Sequence, residues 1–176
     1  MKTYVALLRG INVSGQKKIL MADLRSILEE NGLNNVKTYI QSGNIVFNTR
    51  DIKPDELAWK IKQCILSRYG FEVPVLVRTK QQLETILRKS PFKGEKLTKS
   101  YFTILHSRPK PELIQEVSNL HYEKEEIFVT PECVYGFCEI GYGKAKFSNN
   151  LFERKLKVAA TTRNYRTMVK LIELSA

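Results

Sequence analysis

The sequence predicts an α+β fold made of two halves that each begin with the order βαββ. Three observations carry this. Short apolar runs alternate with segments of helical period, Gly- and Asn-rich clusters punctuate them at hairpin spacing, and a polar stretch at residues 90–99 separates two passes through the same order. The chain has 176 residues, 43% hydrophobic and 27% charged, which suits one domain or two small packed halves and argues against disorder.

Residues 4–8 are a short apolar run closed by Arg9-Gly10, hence a buried strand. From residue 21 to 30, Met21, Leu24, Ile27 and Leu28 recur at helical spacing, and Gly32 can stop the helix in a left-handed conformation. Residues 36–40 and 45–48 are β-rich and flank the turn cluster Gln41-Ser42-Gly43-Asn44, so they pair as an antiparallel hairpin. Pro54 suits a first helical position, Leu57, Ile61 and Ile65 follow every four residues, and Gly70 ends the run. Residues 71–77 complete a βαββαβ set, with Pro74 marking an edge strand or a strand's start.

A connecting helix at 81–89 is capped by Thr79 with Gln82 three residues on, and a polar loop follows to Lys99. Residues 101–105 then read as a strand and 111–120 as a helix with Leu113, Ile114 and Val117 inward. Residues 127–130 and 134–138 form a hairpin turning at Pro131-Glu132. Ser148 can cap a helix carrying Leu151, Phe152 and Leu156, and a last helix from about residue 165 places Met168, Leu171 and Ile172 on one face. No final strand is evident. The reading is therefore two ferredoxin-like, βαββαβ-type halves with an extra C-terminal helix, spanning 1–78 and 100–176, joined by a connecting segment at 79–99.

The 29 Lys plus Arg against 18 Asp plus Glu give a formal charge of +11. The excess is uneven: residues 1–100 carry +9, residues 101–140 carry −4 and residues 141–176 carry +6. This pattern fits an anion-binding face, or equally a tail packed electrostatically over the middle segment. The first apolar run is too short for a signal-peptide core, and no stretch approaches a membrane-spanning length, so a cytoplasmic protein without membrane contact is expected. Cys64, Cys133 and Cys138 form no C-x-x-C pair, and His106 and His121 are the only histidines. The expectation is no metal site, no cofactor and no catalytic residue.

The segments Tyr4-Val5-Ala6-Leu7-Leu8-Arg9-Gly10-Ile11-Asn12-Val13 and Tyr39-Ile40-Gln41-Ser42-Gly43-Asn44-Ile45-Val46-Phe47 resemble a bacterial family, domain of unknown function 1697. The resemblance continues through Val73-Pro74-Val75, Pro91-Phe92, Lys146 with Ser148-Asn149, Glu153-Arg154-Lys155-Leu156 and Ala160-Thr161-Thr162-Arg163-Asn164. The chain departs from the family pattern at Ser14, Ala145 and Tyr165, where glycine, serine and tryptophan are common. What the resemblance implies is a tandem α+β fold; it brings no activity, substrate or catalytic residue.

Two groups of residues are candidates for binding anions. The first joins the loop carrying Arg9, Gly10, Asn12, Ser14, Lys17 and Lys18 to the turn carrying Gln41, Ser42 and Asn44. In a βαββαβ unit the first two strands run the same way, so this loop and this turn emerge at the same end of the sheet. Glycine-freed N–H groups, polar side chains and lysines then make a seat for phosphate or carboxylate, although neither phosphate-loop nor dinucleotide spacing is present. The second group is Lys144, Lys146, Arg163, Asn164 and Arg166, cations and caps around two helix starts. An RNA-recognition sheet would also show aromatics on a central strand, and residues 45–48 offer only Phe47.

The expected function is binding of a phosphate-bearing partner, nucleic acid or a phosphorylated small molecule, without catalysis. One alternative is an enzyme acting on a small anionic substrate at the 9–18 and 41–44 loops. Another is a protein-interaction module that pairs through a sheet edge.

Overall fold

A computed structural model describes residues 1–176. The chain divides into two compact units, one of residues 1–84 with 170–176 and the other of residues 85–169. The chain passes between the units twice, each time inside a helix, and each unit holds one four-stranded antiparallel sheet.

In the first unit β1 (Lys2–Leu8), α1 (Met21–Glu30), β2 (Asn34–Tyr39), β3 (Asn44–Thr49), α2 (Pro54–Tyr69) and β4 (Val75–Thr79) follow in order. The sheet order is β2-β3-β1-β4, with β4 at the edge that Pro74 anticipates. Alternation sets the buried face: Tyr4, Ala6 and Leu8 of β1, Ile45 and Phe47 of β3, and Val75 and Val77 of β4 pack beneath Leu24, Ile27 and Leu28 of α1 and Leu57, Ile61 and Ile65 of α2. The opposite face, with Val5, Leu7, Val46 and Leu76, is also buried. Both helices stop where the sequence places glycine, at Gly32 (φ 85°) and Gly70 (φ 75°).

The start of α1 breaks a local rule. Its N-cap is Leu20, which makes no side-chain cap and is 76% exposed, where Ser, Thr, Asp or Asn would contribute about 1 kcal/mol. Ile40 breaks another, since a β-branched side chain here takes φ 49°, a left-handed conformation costing an L-residue about 1–2 kcal/mol.

The connecting helix α3 (Lys80–Arg88) follows β4 directly. The expected capping box forms: the Thr79 N–H donates to Gln82 Oε1 at 2.9 Å and the Gln82 N–H to Thr79 Oγ1 at 3.2 Å. The segment expected as an unbroken polar loop contains one short helix, α4 (Gly94–Thr98).

The second unit repeats the order as β5 (Tyr101–Leu105), α5 (Pro111–Ser118), β6 (Glu125–Val129), β7 (Cys133–Cys138), α6 (Asn149–Leu156) and β8 (Ala160–Asn164), before α7 (Tyr165–Leu174). Its sheet order is β6-β7-β5-β8, the same topology as the first, so the fold is two ferredoxin-like halves. Strand β8 corrects the reading that the second half lacks a final strand. Ala-Thr-Thr-Arg-Asn has no apolar alternation; it is an edge strand held by its ladder to β5 and by the Thr103–Thr162 hydroxyl pair at 2.9 Å. The halves also match in register. Arg78 of β4 and Arg163 of β8 each donate from Nη1 to the preceding carbonyl at 2.9 Å, and Thr79 and Asn164 each cap the next helix.

One face of the second sheet packs Leu105, Val134 and Cys138 against Val117, Phe147, Phe152 and Leu156. On the other face Phe102 meets Tyr135 edge-on, and the Tyr135 hydroxyl donates to the Ile86 carbonyl at 2.8 Å. Cys133 and Cys138 point to opposite faces, as their odd spacing requires.

Burial, and then the neighbouring Cys133 and Glu132, raise the Tyr135 phenol well above its ordinary value of 10.0. Between that value and the folded one, the folded chain keeps a proton the unfolded chain has lost. The group's stabilisation is therefore complete below about pH 10 and lost as pH rises through the folded value. Urea midpoints of the wild type are expected to fall above about pH 10, and those of Tyr135→Phe to fall less steeply. Parallel profiles for the two proteins would remove this assignment.

Candidate functional site

The first candidate loop and turn do meet. The Leu8 N–H donates to the Gly43 carbonyl at 2.8 Å, and Asn12 Nδ2 reaches the carbonyls of Gln41 at 2.9 Å and Ile19 at 3.0 Å, while Asn12 Oδ1 accepts from the Ile19 N–H at 2.9 Å. Asn12 is thus a clamp across three segments, and its amide is fully occupied by the fold. Asn44 is buried and ties its own turn, donating to the Tyr39 carbonyl at 3.0 Å and to Ser42 Oγ at 2.9 Å.

Between the clamp points the chain makes a miniature hairpin. Val13 and Gln16 bridge, Ser14 and Gly15 take φ 50° and 72°, and the Asn12 N–H closes onto the Lys17 carbonyl at 3.2 Å. Gly10, at φ 71°, turns the chain out of β1. Lys17 Nζ donates to the Glu72 carbonyl at 2.8 Å and lies 6.0 Å from the Phe71 ring centroid. Lys18 and Gln41 are exposed, and desolvation of the half-buried Arg9 draws its pKa down.

In the second unit Ser148 caps α6, accepting from the Leu151 N–H at 3.1 Å, and Asn164 caps α7, accepting from the Thr167 N–H at 2.9 Å. The approach to α6 is fastened by Glu125, whose carboxylate accepts from the N–H groups of Lys146 at 2.6 Å and Phe147 at 3.2 Å. Lys146 Nζ lies 5.9 Å from the Tyr122 ring centroid. Arg163 is half-buried as a residue with its guanidinium deeper, and desolvation lowers it to about 10. Lys144 ends a single turn of 3₁₀ helix (Tyr142–Lys144) and is exposed, as is Arg166 in the first turn of α7.

The structure adds what the sequence pattern lacked, a stacked pair of aromatic rings. Tyr101 and Tyr142 stack with centroids 4.2 Å apart and planes at 17°, and both line a cleft of about 490 Å³ with Asn164, Arg166, Lys99 and Ser100. Glu139 and Ile140 also line it. Tyr101 is the register partner of both Asn164 and Gly136, so stack and cap sit in one row of the sheet. Tyr142 is held from behind by Phe147 at 5.9 Å, itself stacked on Phe152 at 5.9 Å, and burial raises the Tyr142 phenol despite hydrogen bonds with Thr162 and the Asn149 backbone. Tyr101 and Tyr142 are 41 positions apart on different elements, so no local pattern joins them. Of the second candidate group the cleft takes Asn164 and Arg166; Lys144 lies two residues along the chain from Tyr142.

Burial raises the thiols of Cys133 and Cys64, and the His106 ring is engaged with Thr161 Oγ1 at 2.9 Å. No helix is long and apolar enough to cross a membrane.

Among solved structures the chain is similar to the conserved bacterial protein SP0830 from Streptococcus pneumoniae. The two are 28% identical over 99% of this chain and 98% of that one, with a TM-score of 0.78. No curated protein matches the chain significantly. Residues 1–135, which include the clamped loop and turn, β1 to β4 and most of the second sheet, match the sequence model of a protein family of unknown function, DUF1697, and the chain belongs to that family.

Proposed function

We propose that this protein binds a phosphate-bearing partner without catalysis, and that the ligand of its second half is single-stranded nucleic acid. The observation that carries the reading is the cleft in which the stacked Tyr101–Tyr142 pair lies beside Arg166 and Asn164. Base stacking on such a pair is tolerant of sequence and is worth about 1–3 kcal/mol per base, while Arg166 and the nearby Lys144 supply cations for phosphate. Rings that offer a face for stacking, with cations close by, fit a strand with splayed bases better than a duplex, whose bases are already stacked. Burial that raises the thiols of Cys133 and Cys64 disfavours thiolate chemistry, which supports binding over catalysis.

The test is fluorescence anisotropy of labelled single-stranded RNA, single-stranded DNA and duplex DNA from low to physiological salt. Single strands are expected to bind more tightly than duplex. Arg166→Ala should reduce the salt slope by about one, and Tyr101→Ala should weaken binding by about tenfold at every salt concentration. Tyr101→Leu, which keeps apolar volume, separates stacking from folding, with thermal melts run on each variant. Binding lost at physiological salt, or unchanged in Arg166→Ala and Tyr101→Leu, would reduce the positive charge to a solubility feature.

A further inference from the structure

Three of the chain's large exposed apolar side chains gather around one hydrogen-bonded clamp in the first unit. Val13, Leu20 and Ile40 are 60%, 76% and 52% exposed, and each adjoins a residue that the Asn12 side chain belongs to or bonds: Asn12 itself, Ile19 and Gln41. We infer that this crown is a docking surface for an acidic protein segment that inserts apolar side chains among Val13, Leu20 and Ile40.

The residues themselves argue for a purpose beyond folding. Leucine at the N-cap of α1 makes no cap, and isoleucine at φ 49° sits where asparagine or glycine would be easier. Local stability disfavours both choices, yet both side chains point to solvent. Exposed residues that break a local rule point to a role at the surface. The crown is also pre-ordered, since the miniature hairpin, the three Asn12 bonds and the Leu8–Gly43 bond hold its backbone before any partner arrives. Ordering cost at binding is correspondingly small.

Charge and shape choose the occupant. The same loop carries the exposed Lys17 and Lys18, and residues 1–100 carry a net +9, so the complementary surface is acidic. The three anchors are aliphatic and offer no planar face for a base, so a polypeptide with Leu, Ile or Phe beside Asp or Glu fits better than nucleic acid.

The experiment is selection of a random-peptide display library on the full chain, followed by affinity measurement of the enriched peptides. They are expected to pair Asp or Glu with large apolar residues. They should bind Val13→Ser/Leu20→Ser/Ile40→Ser about tenfold or more weakly, and Lys18→Glu several-fold more weakly. All three positions are exposed and serine is a good N-cap, so the triple variant should melt no lower than the wild type, which a thermal scan verifies. The proposal is overturned by enriched peptides that are basic or that bind the triple variant equally. It is also overturned by concentration-dependent sedimentation lost in the triple variant, which would make a second copy of the chain the occupant.

Discussion

Gly43→Ala is expected to destabilise the protein by about 2–5 kcal/mol, a large part of a typical folding free energy. Two effects add at this one position. Gly43 has φ 81°, which costs an L-residue about 1–2 kcal/mol. A Cβ would also lie 2.5 Å from Leu8 Cβ and 2.9 Å from both Leu8 Cγ and Ile11 Cδ1, in the buried seam where the β2–β3 turn meets β1. Such overpacking costs about 1–3 kcal/mol. Gly10→Ala is the control, because Gly10 has a similar φ of 71° but open space where its Cβ would go. Urea unfolding should place Gly43→Ala well below Gly10→Ala. Equal midpoints would show that the turn and β1 can separate without loss, and the clamped loop architecture would lose its basis.

The second large effect is expected at Phe147, where truncation to alanine should cost about 3–5 kcal/mol. Its ring is buried, lies against Tyr142 and Phe152, and occupies the space above Gly136, where a Cβ would come within 2.7 Å of ring carbons. Gly136→Ala alone should therefore cost about 1–3 kcal/mol, since the ring has no room to withdraw. The two positions should be coupled: Gly136→Ala with Phe147→Leu is expected to be more stable than the sum of the single changes by about 1 kcal/mol or more. Additivity within about 0.5 kcal/mol would show that the ring and the glycine do not constrain each other. The same ring backs Tyr142, so the coupling reports how firmly the stacked pair in the cleft is supported.

Residues whose effect is local were legible in the sequence. Thr79 and Gln82 close the capping box, Ser148 and Asn164 cap their helices, and Gly70 terminates α2, because each signal lies within one helical turn of the structure it specifies. The side-by-side placement of the loop after β1 and the turn after β2 was legible too, since it follows from strand direction alone. What each side chain does there was not. Asn12 and Asn44 read as donors for a ligand and in the structure hold their own loops together. Lys17 reads as a cation for a bound anion and in the structure reaches back to the Glu72 carbonyl.

The sequence by itself determined the α+β class, the βαββαβ order of the first half, the helix boundaries marked by caps and glycines, and the family. These rest on periodicity and short-range backbone chemistry, which a linear chain displays directly. Only the tertiary structure decided that residues 160–164 form a strand, because a polar edge strand is specified by the ladder it completes and not by its own pattern. Only it brought Tyr101 against Tyr142, and only it gathered Val13, Leu20 and Ile40 at the Asn12 clamp. Stacked rings and apolar crowns join residues far apart in sequence, and they exist once long-range strand pairing has brought the loops together.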